Sequence, residues 1–279
     1  MTLRFSIVTP SLNQGRFLAE ALESVRIQNY PNVEHLVLDG NSSDETVPLL
    51  KSLDHEAGWG HVHWRSETDD GQSDALNRGF RLSSGDIVAW LNSDDRYRPG
   101  CFRNVAGVFA ENPEIDIVYG DLAIINEDGA IQRVRREIDF DRFILLYHRV
   151  LYIPTPSTFF RRRVFEDGNW LRPDLHYAMD YEFFLRLSNA GYRIKHTSQV
   201  LADFRVHPGS KSRSMKRQQA EEKQQIMWSF SPISAAIRSL YLRRLAFTGL
   251  ELTAGLLRRS RKLLRGSYFF RRRPEGLSR

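Results

Sequence analysis

With 279 residues, 41% of them hydrophobic and 11% aromatic, the chain can bury a substantial core in one large domain or two small ones, which excludes a largely disordered protein. Cys101 is the single cysteine, so an internal disulfide framework and a cysteine-rich zinc cluster are excluded, and no run of about 18 uncharged apolar residues offers a membrane-spanning helix. The formal charge of +6 is uneven: residues 232–279 hold 12 Lys and Arg against 2 Asp and Glu, a net +10 that leaves −4 on residues 1–231.

Residues 5–9 (FSIVT) read as a buried strand, followed by a helix in which Leu18, Leu22 and Val25 recur at i, i+4 and i+7. Residues 33–39 (VEHLVLD) form the second strand, and the polar run after it leads into a helix ending near Leu53, with Ser43 or Asp44 as N-cap. Residues 61–64 read as a weaker strand, before a loop and a helix ended by Gly85. A continuous apolar strand, 86–91, stops abruptly at Asn92-Ser93-Asp94-Asp95. A helix from about Gly100 to Glu111, a strand over 115–120 and a hairpin turning at Glu127-Asp128-Gly129 follow. The second half is less regular, with an aromatic-rich stretch through Trp170, a helix over 178–191 and a last strand near Val200–Val206. Strands alternating with helices in the first half predict βαβ units, a mainly parallel sheet and the α/β class.

The most informative segment is WLNSDD (90–95), which sets Asp94 and Asp95 side by side at the end of an apolar strand. Open α/β sheets bind ligands at the carboxyl ends of their strands. Adjacent carboxylates there repel unless hydrogen bonds or a cation offset the repulsion, so a divalent metal and a turn capped by Asp94 are the two readings. Thr9-Pro10-Ser11 closes the first strand and Asp39 the second. A strand-end carboxylate suits ribose hydroxyls or base N–H groups, and equally an Asx-turn. Three polar strand ends in one half favour a shared pocket.

The series SIVTPSLNQGRFL, VEHLVLDGNSSDET, GQSDALNRG, GDIVAWLNSDDRYRPG, YAMDYEFFLRL and FRVHPGSKS, in this order over residues 3–212, resembles the inverting family-2 glycosyltransferases. That resemblance implies a GT-A fold, a single α/β domain that binds a nucleotide-diphosphate sugar, most often a UDP-sugar, through a divalent cation, manganese or magnesium. It places Thr9, Pro10 and Asp39 against the base and ribose of the donor, and Asp94 and Asp95 at the ribose and the metal. Asn92 stands where the family often has a first carboxylate, which leaves open which Asp ligates the metal. Gln72, Ser73 and Asn77 match a donor-pocket segment of a bacterial-type branch, although Asn77 can equally fix its helix to a strand end.

Asp180 matches the family's catalytic base, and inversion needs a base to take the acceptor hydroxyl proton as oxygen attacks the anomeric carbon. Phe183, Phe184 and Leu187 would pack its helix inward and leave Asp180 at the first turn, where a capping Asp would look the same. His207 falls where the family has a residue near the diphosphate and metal, against the plain alternative of a packed histidine.

The domain is expected to span 1–212, with 213–279 a basic, amphipathic helical tail. Its arginines and short apolar runs point to an anionic membrane interface, and a helix pair packed on the body or an RNA-binding arm are the alternatives. No nucleic acid is expected as partner. With no signal-type leader, the protein is expected in the cytoplasm, peripheral on the inner face of the membrane. The sequence therefore predicts a metal-dependent inverting glycosyltransferase acting on a glycan or lipid-linked acceptor in surface-polysaccharide assembly, against a non-catalytic membrane-attached carbohydrate-binding or scaffold protein on the same fold. A sugar-phosphate nucleotidyltransferase would need a Gly-rich loop bearing Arg and Lys after the first strand, and TPSLNQGRF is not one.

Overall fold

The computed structural model describes residues 2–210, 216–237 and 239–265. Its centre is β1 (Phe5–Ser11), seven residues buried without exception. β2 (Val33–Asp39) and β4 (Ile87–Trp90) flank it in parallel, with Phe5 opposite both Val33 and Ile87. β3 (Val62–Ser66) extends the parallel set beyond β2. On the other side, β8 (Thr158–Arg161) runs antiparallel between β4 and β6 (Ile117–Ile125), and β9 (Ile194–Arg205) returns parallel to β6. The two-residue β5 (Arg96–Tyr97) closes that edge, and β7 (Ile131–Arg135) folds back on β6 as a hairpin.

Period-2 alternation divides the core between the faces of this sheet. Phe5, Ile7, Ile87 and Ala89 face one way, onto α1 (Gly15–Arg26) and α4 (Cys101–Glu111). Val8, Val88 and Trp90 face the other, where they join Phe160, Phe183 and Phe184. α2 (Thr46–Leu53) packs its Leu50 and Leu53 against Leu18, Leu22 and Val37. Its N-cap is Glu45, not the expected Ser43 or Asp44. Asp44, one residue earlier, accepts from Thr46 N–H at 3.0 Å and from Gly15 N–H, so one carboxylate ties two helix starts together. α3 (Gln72–Leu82) presses close on β1 because of Gly79, where a Cβ would lie 2.3 Å from Val8.

Several elements differ from the sequence reading: β6 spans Ile117–Ile125 where a strand over 115–120 is expected. α3 ends at Leu82, short of Gly85. β8 lies in the irregular second half, and its four residues carry too little pattern to announce a strand. β9 begins six residues before Val200, over a stretch whose mixed exposure hides the alternation.

α5 (Arg142–His148), α6 (Arg163–Glu166) and α7 (Met179–Asn189) complete the body. The C-terminal stretch forms α8 (Lys216–Phe230), α9 (Pro232–Ala236) and α10 (Leu240–Leu264). Ile226 and Met227 of α8 and Phe247 and Ala254 of α10 are buried in the same core cluster as Phe183. α10 lies along α5 and brings Arg258 and Lys262 to within 2.9 and 3.1 Å of Glu137, whose side chain is fully buried. Arg135 completes that cage, and Arg149–Glu251 and Arg261–Asp141 add two ion pairs at 2.6 Å each. Part of the tail's positive charge is thus spent on docking to the acidic body. A buried carboxylate needs such partners, since unpaired it would cost several kcal/mol, of order 3–5.

Candidate active site

The carboxyl ends of β1 and β4 open onto a cavity of about 520 Å³. Pro10, Gln72, Asn92, Asp94 and His207 line it, as do Tyr177, Met179, Asp180 and Gln219. This is where an open α/β sheet binds ligands.

Asp94 and Asp95 have different environments. Asp95 is buried, with Oδ1 accepting from Arg205 N–H at 3.0 Å and Oδ2 from the Asn92 amide at 3.0 Å. Burial, and next the charge of Asp94, push its carboxyl well above the usual range. Asp94 is one-fifth exposed on the cavity wall, and its Oδ2 lies 3.1 Å from His207 Nε2. The chain of contacts continues outward, with Gln72 donating to Asn92 at 2.9 Å. Arg205, itself buried, fixes the loop from behind: Nε donates to the Asp94 carbonyl at 2.9 Å, and Nη2 to Glu20 at 2.6 Å. Phe17 lies between, 4.9 Å from the Arg205 guanidinium and 4.8 Å from the His207 ring.

Among the described residues, no three or more His, Cys, Asp or Glu side chains form a complete cation cage. Asp94 and His207 nonetheless fit one that draws its remaining ligands from a bound diphosphate, as magnesium-type sites do. Asp95, the other expected metal ligand, is buried, holds one donor on each oxygen and does not line the cavity.

Asp180 stands in the first turn of α7, half-buried, with Oδ1 accepting from Tyr181 N–H at 2.7 Å. Burial raises its carboxyl above the ordinary value, against the opposing pull of Lys223. Lys223 is itself lowered by burial, with Asp180 opposing.

The remaining predicted residues divide. Thr9 is fully buried and pairs with His35 Nε2 at 2.8 Å, below the cavity wall. Asp39 lines an adjoining recess of about 230 Å³ with Arg65, Asp69 and Arg78. It also accepts from Ser42 N–H and the Ser66 hydroxyl, at 3.0 and 2.6 Å, so it performs the Asx-type turn and faces the recess as well. Ser73 is buried with its hydroxyl 2.7 Å from Met179 Sδ, outside the cavity wall. Asn77 is also buried, and its amide exchanges two 2.9 Å hydrogen bonds with the Leu171 backbone, fixing α3 to the loop before α7.

A sequence profile of the glycosyl transferase family 2 matches residues 6–168. The chain belongs to that family. A PGL/p-HBAD biosynthesis glycosyltransferase of Mycobacterium tuberculosis is 31% identical over 209 residues, which cover 74% of this chain and 78% of that protein. Among solved structures, Staphylococcus aureus TarS 1–349 in complex with UDP-GlcNAc aligns with a TM-score of 0.66 at 18% identity, covering 82% of this chain and 66% of that one. The Pyrobaculum calidifontis mannosyltransferase PcManGT, in complex with GDP-Man and Mn2+, aligns at 0.62 and 17% identity over 92% of this chain and 74% of that one. The fold of this glycosyltransferase is GT-A.

The sequence reading missed Arg205, Phe17, Gln219 and Lys223. Arg205 left one signal, a charged residue that with Asp203 interrupts an apolar strand end, but its partners lie 110 and 185 residues away.

Proposed function

We propose that this glycosyltransferase moves a sugar from a UDP-sugar donor to a hydroxyl of a glycan or lipid-linked acceptor, inverting the anomeric centre with the help of manganese or magnesium. The observation that carries the reading is one cavity whose wall includes Asp94, His207 and Asp180. Asp94 and His207 would hold the cation, which offsets charge on the departing diphosphate. Asp180 accepts the acceptor hydroxyl proton while that oxygen bonds to the anomeric carbon and the bond to the diphosphate breaks. A single displacement of this kind turns an α-linked donor into a β-linked product. The raised Asp180 carboxyl is the stronger base for it. The recess at Asp39 and Arg65 takes the nucleoside. The solved relatives bound to UDP and UDP-GlcNAc support uridine as the base.

Asp180→Asn tests the assignment: it keeps the side-chain shape but cannot take the proton. Donor binding should persist while kcat falls by roughly two to four orders of magnitude. Near-normal kcat with the true acceptor would overturn the role of Asp180.

We further propose that α10 seats the enzyme peripherally on an anionic membrane, at its cytoplasmic face, where it serves surface-polysaccharide assembly. No helix of the described residues is long and apolar enough to cross a membrane. Leu242, Leu245, Leu252, Leu256 and Leu263 form an exposed stripe along α10, opposite the side buried at Phe247 and Ala254. Exposed Arg244 and Arg259 flank it. An apolar stripe with arginines at its margin is the pattern of an interfacial helix.

A further inference from the structure

α7 carries Asp180 in its first turn, yet no side chain of its own N-cap, Ala178, closes that end. The closing group comes from α8. Glu222 accepts from three consecutive backbone N–H groups, those of His176 at 3.2 Å, Tyr177 at 2.9 Å and Ala178 at 2.8 Å. Gln219, one turn earlier, donates to the Tyr177 carbonyl at 3.0 Å and lines the cavity beside Asp180. Ile226 and Met227, one turn later, anchor the same helix in the core. A carboxylate on several backbone N–H groups at a helix start is a charge-assisted contact of the stronger kind.

We propose that Glu222 is a positioning residue for the transfer reaction: it holds the loop 176–178 so that Asp180 faces the cavity. This rests on the reading of Asp180 as the base. It makes α8, in a stretch that looks dispensable in the sequence, part of the acceptor side of the site. The charged groups about Asp180 are Lys223 and Glu222, with Arg135 of β7 beyond Lys223. Lys223 favours the ionised carboxylate, which a base requires, and Glu222 opposes it.

The experiment compares full-length Glu222→Ala and Glu222→Gln with the wild type. UDP release from a panel of UDP-hexoses with manganese reports turnover, calorimetry with UDP and manganese reports donor-side binding, and thermal midpoints report folding. In Glu222→Ala, kcat should fall tenfold to a hundredfold, the scale of a small misplacement of a reacting group, with UDP affinity unchanged. Glu222→Gln, which keeps one acceptor oxygen, should fall between it and the wild type.

The proposal is overturned if folded Glu222→Ala turns over normally, or if UDP affinity and kcat fall together with the thermal midpoint. Should Glu222→Ala fail to fold, Glu222→Gln decides: a folded Glu222→Gln with wild-type kcat refutes the role of α8. Asp180→Asn separates the two ideas, since an active Asp180→Asn removes the base itself. An inactive Asp180→Asn beside unaltered α8 variants removes only this proposal.

Discussion

Asp94 and Asp95, adjacent in sequence, are expected to fail in different ways. Asp94→Ala removes a cavity-facing group with one side-chain partner, His207, so manganese-dependent UDP binding should be lost in calorimetry with little change in thermal midpoint. Asp95→Ala strands the Arg205 N–H and the Asn92 amide, so it should cost about 1–3 kcal/mol in denaturant unfolding as well as binding. Equal behaviour of the two variants would refute this division. His35 gives a pH prediction: burial, and next the charge of His61, lower its pKa from 6.5 to about 3. The unfolded chain therefore binds a proton that the folded one refuses between those values. The neutral-imidazole contribution is complete above about pH 6.5 and declines as pH falls, by about 1 kcal/mol per pH unit, down to about 3. His35→Gln should flatten the dependence of unfolding free energy on pH between 6.5 and 4.5. At this scale the sequence showed contiguous motifs but not side-chain direction. Thr9 shares the face of Phe5 and Ile7 by strand alternation, which is why it points to His35 and not to the cavity.

Elements were most legible where a short apolar run met a polar strand end, as at β1, β2 and β4, because a parallel strand buried on both faces is a continuous hydrophobic block. β8 and the first half of β9 escaped, since their burial is set by neighbours far along the chain. α10 shows the same limit: its apolar and basic residues are plain in sequence, but which side meets the body is not. The two sides should separate in mutagenesis. Phe247→Ala, on the α5 side, should destabilise the protein by about 3 kcal/mol, whereas Leu256→Ala, on the open side, should change it by no more than about 0.5 kcal/mol in chemical denaturation. A comparable loss from both would mean that the stripe is covered.

For the whole molecule, charge asymmetry was readable from composition, while its division between docking and display needed the structure. Glu137, Asp141 and Asp139 take up Arg258, Lys262, Arg261 and Arg265, which leaves Arg244 and Arg259 beside the leucine stripe. Full-length protein should sediment with anionic liposomes, be partly released by high salt, and bind neutral liposomes weakly, since the basic attraction is screened and apolar insertion is not. Replacing Leu245, Leu252 and Leu256 together by Glu should abolish sedimentation while UDP binding persists. Binding to RNA at physiological salt, without liposome binding, would reassign the tail to nucleic acid. The packing of α10 on α5 also sets a timetable for synthesis. A ribosome that has made Arg142–His148 must add more than a hundred residues before the helix that covers them exists. Until then α5 lacks the part of its cover that α10 supplies, although α7 and α8 already meet it, and Glu137 lacks two of its cations, so residues translated late complete a contact on which the fold of the body depends.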